Sequence, residues 1–191
     1  MNEKQKMCSG LPYDPLHPTL ILARDRAARI LFRYNRKTFH EIQVRHPLMR
    51  KLIHTSGHFW VKPPFFCDYG FNITLGHNVM LNTGCVLLDV CPILIQDHTL
   101  IGPGVHIYTA CHSLDPQERR NNLEYGQPVT LGRNVWIGGR VTICPGVTIG
   151  DNAVIGAGSV VTRSIPAGML AVGNPCRVVR PITVRDRIIK E

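Results

Sequence analysis

Several absences narrow the chain first. It has no run of about 18 apolar residues, the length a helix needs to cross a bilayer, so no membrane span is expected. Its first ten residues, MNEKQKMCSG, are polar and lack the apolar centre of a secretory signal. The seven cysteines include no CxxC spacing, which leaves no disulfide framework and no zinc knuckle to expect. An odd number of thiols without a signal fits a reduced, cytoplasmic protein. Charge is also sparse, at 18% of residues against roughly 25% in ordinary soluble domains.

Turn residues are plentiful, with 17 glycines and 14 prolines, and a hydrophobic fraction of 44% supports a sizeable core in one large domain. The formal net charge is +9. The basic residues form two groups. Arg24, Arg26, Arg29, Arg33, Arg36, Lys37, Arg45, Arg50 and Lys51 are mostly at helical spacing and read as a solvated helix face. Arg163, Arg177, Arg180, Arg185, Arg187 and Lys190 gather near the end. No aromatic–basic platform accompanies either group, so nucleic-acid binding is not expected.

An internal repeat decides the fold class. Residues 135–164 divide into sixes, VWIGGR, VTICPG, VTIGDN, AVIGAG and SVVTRS. The third place is always aliphatic, from Ile137 through Ile143, Ile149 and Ile155 to Val161. The same register runs earlier through Leu75, Leu81 and Leu87. It skips two residues near Cys91-Pro92 and resumes at Ile95, Ile101 and Ile107. The step from Ile107 to Leu131 is 24 residues, a multiple of six, so the phase survives a stretch that does not repeat. A period of six matches neither a helix nor a two-faced strand. It fits a parallel β-solenoid in which each hexad gives one short strand and one corner, and three hexads close a triangular coil. Asn78, Gly84, Gly104, Asn134, Gly146, Asn152 and Gly158 fall at the corner place, where a positive φ is needed. The next place holds small or medium residues, among them Cys85 and Cys111, which read as core fillers.

Residues 1–57 carry no hexads. Pro12, Pro15 and Pro18 make the start loop-like. From Thr19, Leu22, Ala27, Ile30, Leu31 and Tyr34 fall on one helical face. A second helix is expected from about Pro47 to His54. This segment reads as a helical cap on an open solenoid end. The expected organisation is a cap at 1–57, a β-helix at 58–175 with an extruded loop at 112–128, and a basic tail at 176–191.

The loop, HSLDPQERRNNLEYGQP, is polar and turn-rich, and loops of this length in compact domains are usually functional or disordered. His112 stands at its take-off. Position alone does not separate a general base from a corner histidine with a satisfied hydrogen bond. No metal centre is expected, because His77 and His98 fall at different hexad places and His106 and His112 lie on successive faces.

With the stretches FFCDYGFNITLG, LLDVCPI, PGVHIYTACHSLDP and VIGAGSVVTRSIPAGMLAVGNPCRVVR on view, the chain resembles the maltose, galactoside and nodulation-factor O-acetyltransferases of the hexapeptide-repeat superfamily. The resemblance covers nearly the whole chain. It implies a left-handed parallel β-helix and a homotrimer with active sites between subunits. It also implies direct transfer of acetyl from acetyl-CoA to a hydroxyl of a sugar such as maltose or glucose. His112 matches the family's base, preceded here by Cys111 in a THPxDP-like context. Asn82 matches the residue that polarises the carbonyl or holds the acceptor. Asp14, Asp68, Asp89 and Glu124 match acceptor-binding segments, and Tyr69 and Tyr125 offer ring faces for a sugar. Trp136, Gly139, Ala157, Thr162, Arg163, Arg177 and Arg180 match contacts to acetyl-CoA, with Arg163 in place of a common lysine. The competing classes are an acetyltransferase for another acceptor, such as a galactoside, antibiotic or amino sugar, and a non-catalytic β-helix scaffold.

Overall fold

The hexads become the sides of a three-sided coil in the computed structural model, which describes residues 1–38, 40–55 and 57–189. Lys190, counted above in the terminal basic group, lies outside the described residues. Among the described residues the coil walls are sheets of five, seven and five strands. The first wall stacks His54–Thr55, Ile73–Leu75, Ile93–Ile95, Val129–Leu131 and Thr148–Ile149. The second runs Phe59–Val61, Val79–Leu81, Leu100–Ile101, Trp136–Ile137, Val154–Ile155 and Met169–Val172, and ends on the antiparallel strand Arg177–Pro181. The third stacks Phe65–Cys67, Cys85–Leu88, His106–Tyr108, Thr142–Ile143 and Val160–Val161. All other pairings within the walls are parallel.

The third-place aliphatics point inward. From Leu75 to Val161 they are all buried, at 0–1% exposure. The corner residues take the left-handed backbone, from φ 53° at Asn134 to 78° at Gly146. His98 (φ 60°) and Arg140 (φ 57°) hold the same kind of corner with ordinary side chains, where the backbone is less favourable. His58, His77 and His98 stack along one edge, with neighbouring ring centroids 5.5 and 6.0 Å apart. Hexad phasing separates His77 from His98, but their corner slots adjoin closely enough for the rings to meet. Among the described residues no group of three or more His, Cys, Asp or Glu is arranged to hold a metal.

The first coil would expose the edges of its strands, and the cap covers them. Helix α1 is Glu3–Cys8, α2 is Pro18–Asn35 and α3 is Ile42–Arg50. Ala27, Leu31, Tyr34, Leu48 and Met49 pack on Phe59, Val61 and Phe65. Asn35 supplies both halves of an amide pair to Phe65: its Nδ2 donates to the carbonyl and its Oδ1 accepts from the N–H, each at 2.9 Å. Tyr34 and Arg45 both donate to the Val61 carbonyl.

The cap differs from the sequence expectation in three ways. Residues Glu3–Cys8 are helical, closed by an Asn2–Gln5 capping box. Leu22 is 68% exposed, and the buried row of α2 is Leu20, Ala27, Leu31 and Tyr34. Helix α3 runs through Pro47 instead of starting there and ends at Arg50, with His54 already on the first strand.

The loop leaves the coil earlier than the hexad break suggests. Ala110–His112 pairs antiparallel with Glu124–Gly126, and helix α4 (Pro116–Arg120) lies between them. Thr109 closes the neck: its Oγ1 donates to the Leu88 carbonyl (2.7 Å), and its carbonyl accepts from Gln127 N (2.9 Å). Cys111 is therefore half-buried on the hairpin and not a core filler, whereas Cys85 is fully buried in the coil.

Ile137 sits mid-column with no accessible surface, so Ile137→Ala is expected to lower stability by about 2–5 kcal/mol, read as a shift in the urea midpoint.

Candidate active site

Where the hairpin leaves the coil, it and the N-terminal arm enclose a cavity of about 630 Å3. His112, Glu124, Asp68 and Tyr69 line it, together with Arg24, Arg119 and Asn122, while Leu88, Val90, Leu16 and Ala110 give it apolar patches. His112 ends the first hairpin strand directly opposite Glu124. Its side chain is 55% exposed, and its Nε2 lies 3.8 Å from Glu124 Oε1. An accessible imidazole beside a carboxylate can accept a proton and have the resulting charge stabilised.

The remaining acceptor candidates divide. Asp68 is half-buried on the cavity wall; burial raises its carboxyl, Glu124 raises it further and Arg24 opposes both. Asp14 is exposed at the rim, where its Oδ1 accepts from Leu16 N (2.9 Å) and its neighbours Pro15 and Leu16 line the cavity. Asp89 lies beneath the wall with no accessible surface. Its Oδ1 accepts from Asp68 N and Tyr69 N (3.1 and 2.9 Å), and its Oδ2 accepts from Asn72 N (3.2 Å). Asp89 thus clamps the turn that carries Asp68 and Tyr69. Tyr125 follows Glu124 on a strand, so it faces the other way, into a separate 540 Å3 cavity with Pro12, Leu114 and Leu123.

Arg24 belongs to the site although its spacing places it on a solvated face. It lies in the buried helical row Leu20–Arg24–Ala27–Leu31, and that position was the available signal. Its guanidinium donates to Tyr69 Oη and to the Pro15 carbonyl, both at 2.6 Å. Arg119 also lines the cavity and donates to the Ser113 and Leu114 carbonyls (2.9 and 3.2 Å). Two cations thus face two carboxylates, which suits an uncharged ligand rich in hydroxyls.

Asn82 lies elsewhere. It lines a 540 Å3 groove along the second wall with Trp136, Gly139, Ala157 and Leu170. Its Oδ1 accepts from Thr83 N at 2.8 Å, which leaves the amide N–H2 as the group able to donate to a ligand. Trp136 is 57% exposed and so has no core role. Thr162, Arg163, Arg177 and Arg180 are exposed on the last turns of the chain and do not line this groove. The Arg180 guanidinium is held by Asp186 at 2.6 and 2.8 Å. One chain therefore brings together His112, Glu124 and Asp68 in one place and Asn82 with Trp136, Gly139 and Ala157 in another.

Residues 128–163 match the family described as bacterial transferase hexapeptide (six repeats), and residues 6–57 match the maltose acetyltransferase hexapeptide capping motif. Nodulation protein L of Rhizobium meliloti is 46% identical over 177 residues, 92% of this chain and 97% of its own length. The crystal structure of a maltose O-acetyltransferase from Clostridium difficile superposes with a TM-score of 0.94 at 46% identity, covering 96% of this chain and 98% of that one. A galactoside acetyltransferase in complex with coenzyme A superposes with a TM-score of 0.93 at 36% identity, covering 100% and 97%.

Burial pushes the Asp89 carboxyl up to about 7, against the backbone N–H groups that favour its ionised form. A carboxyl raised in the fold contributes stability that is complete near pH 4 and is lost as pH rises through about 7. Asp89→Asn cannot ionise. Its unfolding free energy should therefore fall less than the wild type's between those limits, by at most about 1.4 kcal/mol per pH unit, in urea titrations across the range.

Proposed function

The chain belongs to the hexapeptide-repeat acetyltransferase family of the maltose and galactoside O-acetyltransferases, and from that premise we propose that it transfers the acetyl group of acetyl-CoA to a sugar hydroxyl, with His112 as general base. The observation that carries this is the accessible His112 imidazole facing Glu124 in a cavity of balanced charge. His112 takes the acceptor's hydroxyl proton as the oxygen attacks the thioester carbonyl carbon. Asn82 offers its amide N–H2 to the oxyanion that forms. When the carbon–sulfur bond breaks, His112 returns the proton to the departing thiolate. No acyl-enzyme is needed, so none of the cysteines serves as a nucleophile.

The groove beside Trp136, Gly139 and Ala157 suits the extended pantetheine arm of acetyl-CoA, because small residues there leave the coil surface open. Arg163 and Arg177 are exposed cations that can meet phosphates of the same co-substrate. Support for a homotrimer comes from the second wall. Its outward side carries an apolar column, Trp60, Met80, Leu100, Trp136, Val154 and Leu170, one residue per coil. Trp60, Leu100 and Trp136 are 42%, 45% and 57% exposed, a surface suited to a second copy. In such an assembly the groove of one copy faces His112 of the next, which unites the two halves of the site.

The acceptor is proposed to be a neutral sugar, since Arg24 and Arg119 already offset Asp68 and Glu124 in the cavity. We place the reaction in the cytoplasm, where acetyl-CoA is made; the cysteines are unpaired. No helix among the described residues is long and apolar enough to cross a membrane.

Thiol release from acetyl-CoA with maltose, glucose, galactosides and amino sugars is the direct test. His112→Ala should lower kcat by about 10²–10⁴-fold while folding and acetyl-CoA binding persist. Unchanged turnover in that variant would remove His112 from the mechanism, and turnover confined to amino sugars would make the enzyme an N-acetyltransferase.

A further inference from the structure

The N-terminal arm reaches the site through one residue. Tyr13 lies between α1 and α2, yet it forms a β-bridge with Glu124 on the catalytic hairpin. Tyr13 N donates to the Glu124 carbonyl (2.9 Å), and Glu124 N donates to the Tyr13 carbonyl (3.2 Å). The side chains join as well: Tyr13 Oη donates to Glu124 Oε2 at 2.6 Å, while Oε1 of the same carboxylate faces His112 Nε2 at 3.8 Å. Tyr13 is 1% exposed and packs with Met7, Leu20, Tyr69 and Val90. Such packing fixes the ring, and a fixed ring fixes the direction of its hydroxyl.

We propose that Tyr13 is a positioning residue for acetyl transfer: its phenol holds Glu124 in the rotamer that aims the second carboxylate oxygen at His112. This rests on His112 being the base. A carboxylate held beside one ring nitrogen keeps the proton there and leaves the other nitrogen to receive the acceptor's proton. It also stabilises the imidazolium that forms. Burial and the neighbouring Glu124 raise the Tyr13 phenol far above its ordinary range, so it remains a donor throughout the working pH. Asp68, Arg24 and Arg119 line the same cavity, but the phenol bond is made to Glu124.

The arm is seated closely enough to do this. Gly10 takes φ 74°, and a Cβ there would stand 2.7 Å from the Gly126 carbonyl oxygen. A Cβ on Gly126 would in turn stand 2.6 Å from Cys91 Sγ, which donates to the Met7 carbonyl. Arm, hairpin and coil therefore form three layers in direct contact, and a shift in the arm carries the hairpin with it.

The test is a double-mutant cycle of Tyr13→Phe and Glu124→Gln in the full-length protein, with histidine ring ¹⁵N NMR alongside kinetics. Tyr13→Phe should lower kcat by about 10- to 100-fold with the KM for acetyl-CoA little changed. In the Glu124→Gln background the same substitution should change kcat by less than about twofold. The NMR should show one His112 tautomer in the wild type and a mixture in Tyr13→Phe. Equal kcat losses in both backgrounds, or unchanged His112 ring signals in Tyr13→Phe, would overturn the proposal. If Tyr13→Phe does not fold, Glu124→Gln with Tyr13 intact takes its place in the NMR: a single His112 tautomer kept in that variant overturns the proposal equally. A wild-type protein that acetylates no acceptor would defeat the proposed function instead, and the tautomer measurement would still decide the role of Tyr13.

Discussion

A coil of three short sides closes only if each side sends one aliphatic residue inward and each corner reverses the chain within a residue or two. The rest of the molecule depends on that constraint. It explains why buried residues recur at the third place of the hexad, and why the corners at Asn134 and Gly146 take positive φ. It also explains the tightness of the glycines between coils. A Cβ on Gly138 would lie 2.5 Å from Ala157 N in the next coil, so its small size serves the stacking itself.

The candidate site lies where the constraint is suspended. The corner after Tyr108 can be opened into a hairpin because Thr109 and Gln127 close the neck and the hexads on either side keep phase. The coil supplies rigidity at the base of the hairpin, and the buried carboxylate of Asp89 supplies it beneath the opposite wall. The groove beside Asn82 and Trp136 lies on another wall. On the proposed function, acceptor and donor would be recognised by separate parts of the chain.

Most of the coil was legible in the sequence because each of its rules acts on a single position. The aliphatic column, the corner residues and the conserved phase from Ile107 to Leu131 needed no knowledge of distant neighbours. The features that were misread depend on such neighbours. Arg24 looks like one cation in a basic row, and only the packing of α2 against Tyr69 turns it into the cavity. Cys111 keeps the hexad phase, yet it lies on the hairpin because the coil ends two residues sooner. Tyr13 sits in a proline-rich stretch with no periodicity, and its bond to Glu124 spans more than half the chain. The acceptor residues named from family resemblance share a region, but resemblance does not separate a wall residue such as Asp68 from a buried clamp such as Asp89.

The cap on the first coil has a further consequence for assembly. A parallel solenoid is a template that can lengthen by adding coils from another molecule, as fibrils do. Here the terminal strand's polar groups are already answered from within: Asn35 mimics a backbone partner for Phe65, and Tyr34 and Arg45 occupy the Val61 carbonyl. Growth along the coil axis is thereby stopped at this end. Any meeting of copies is thereby left to the walls of the coil and to its other end.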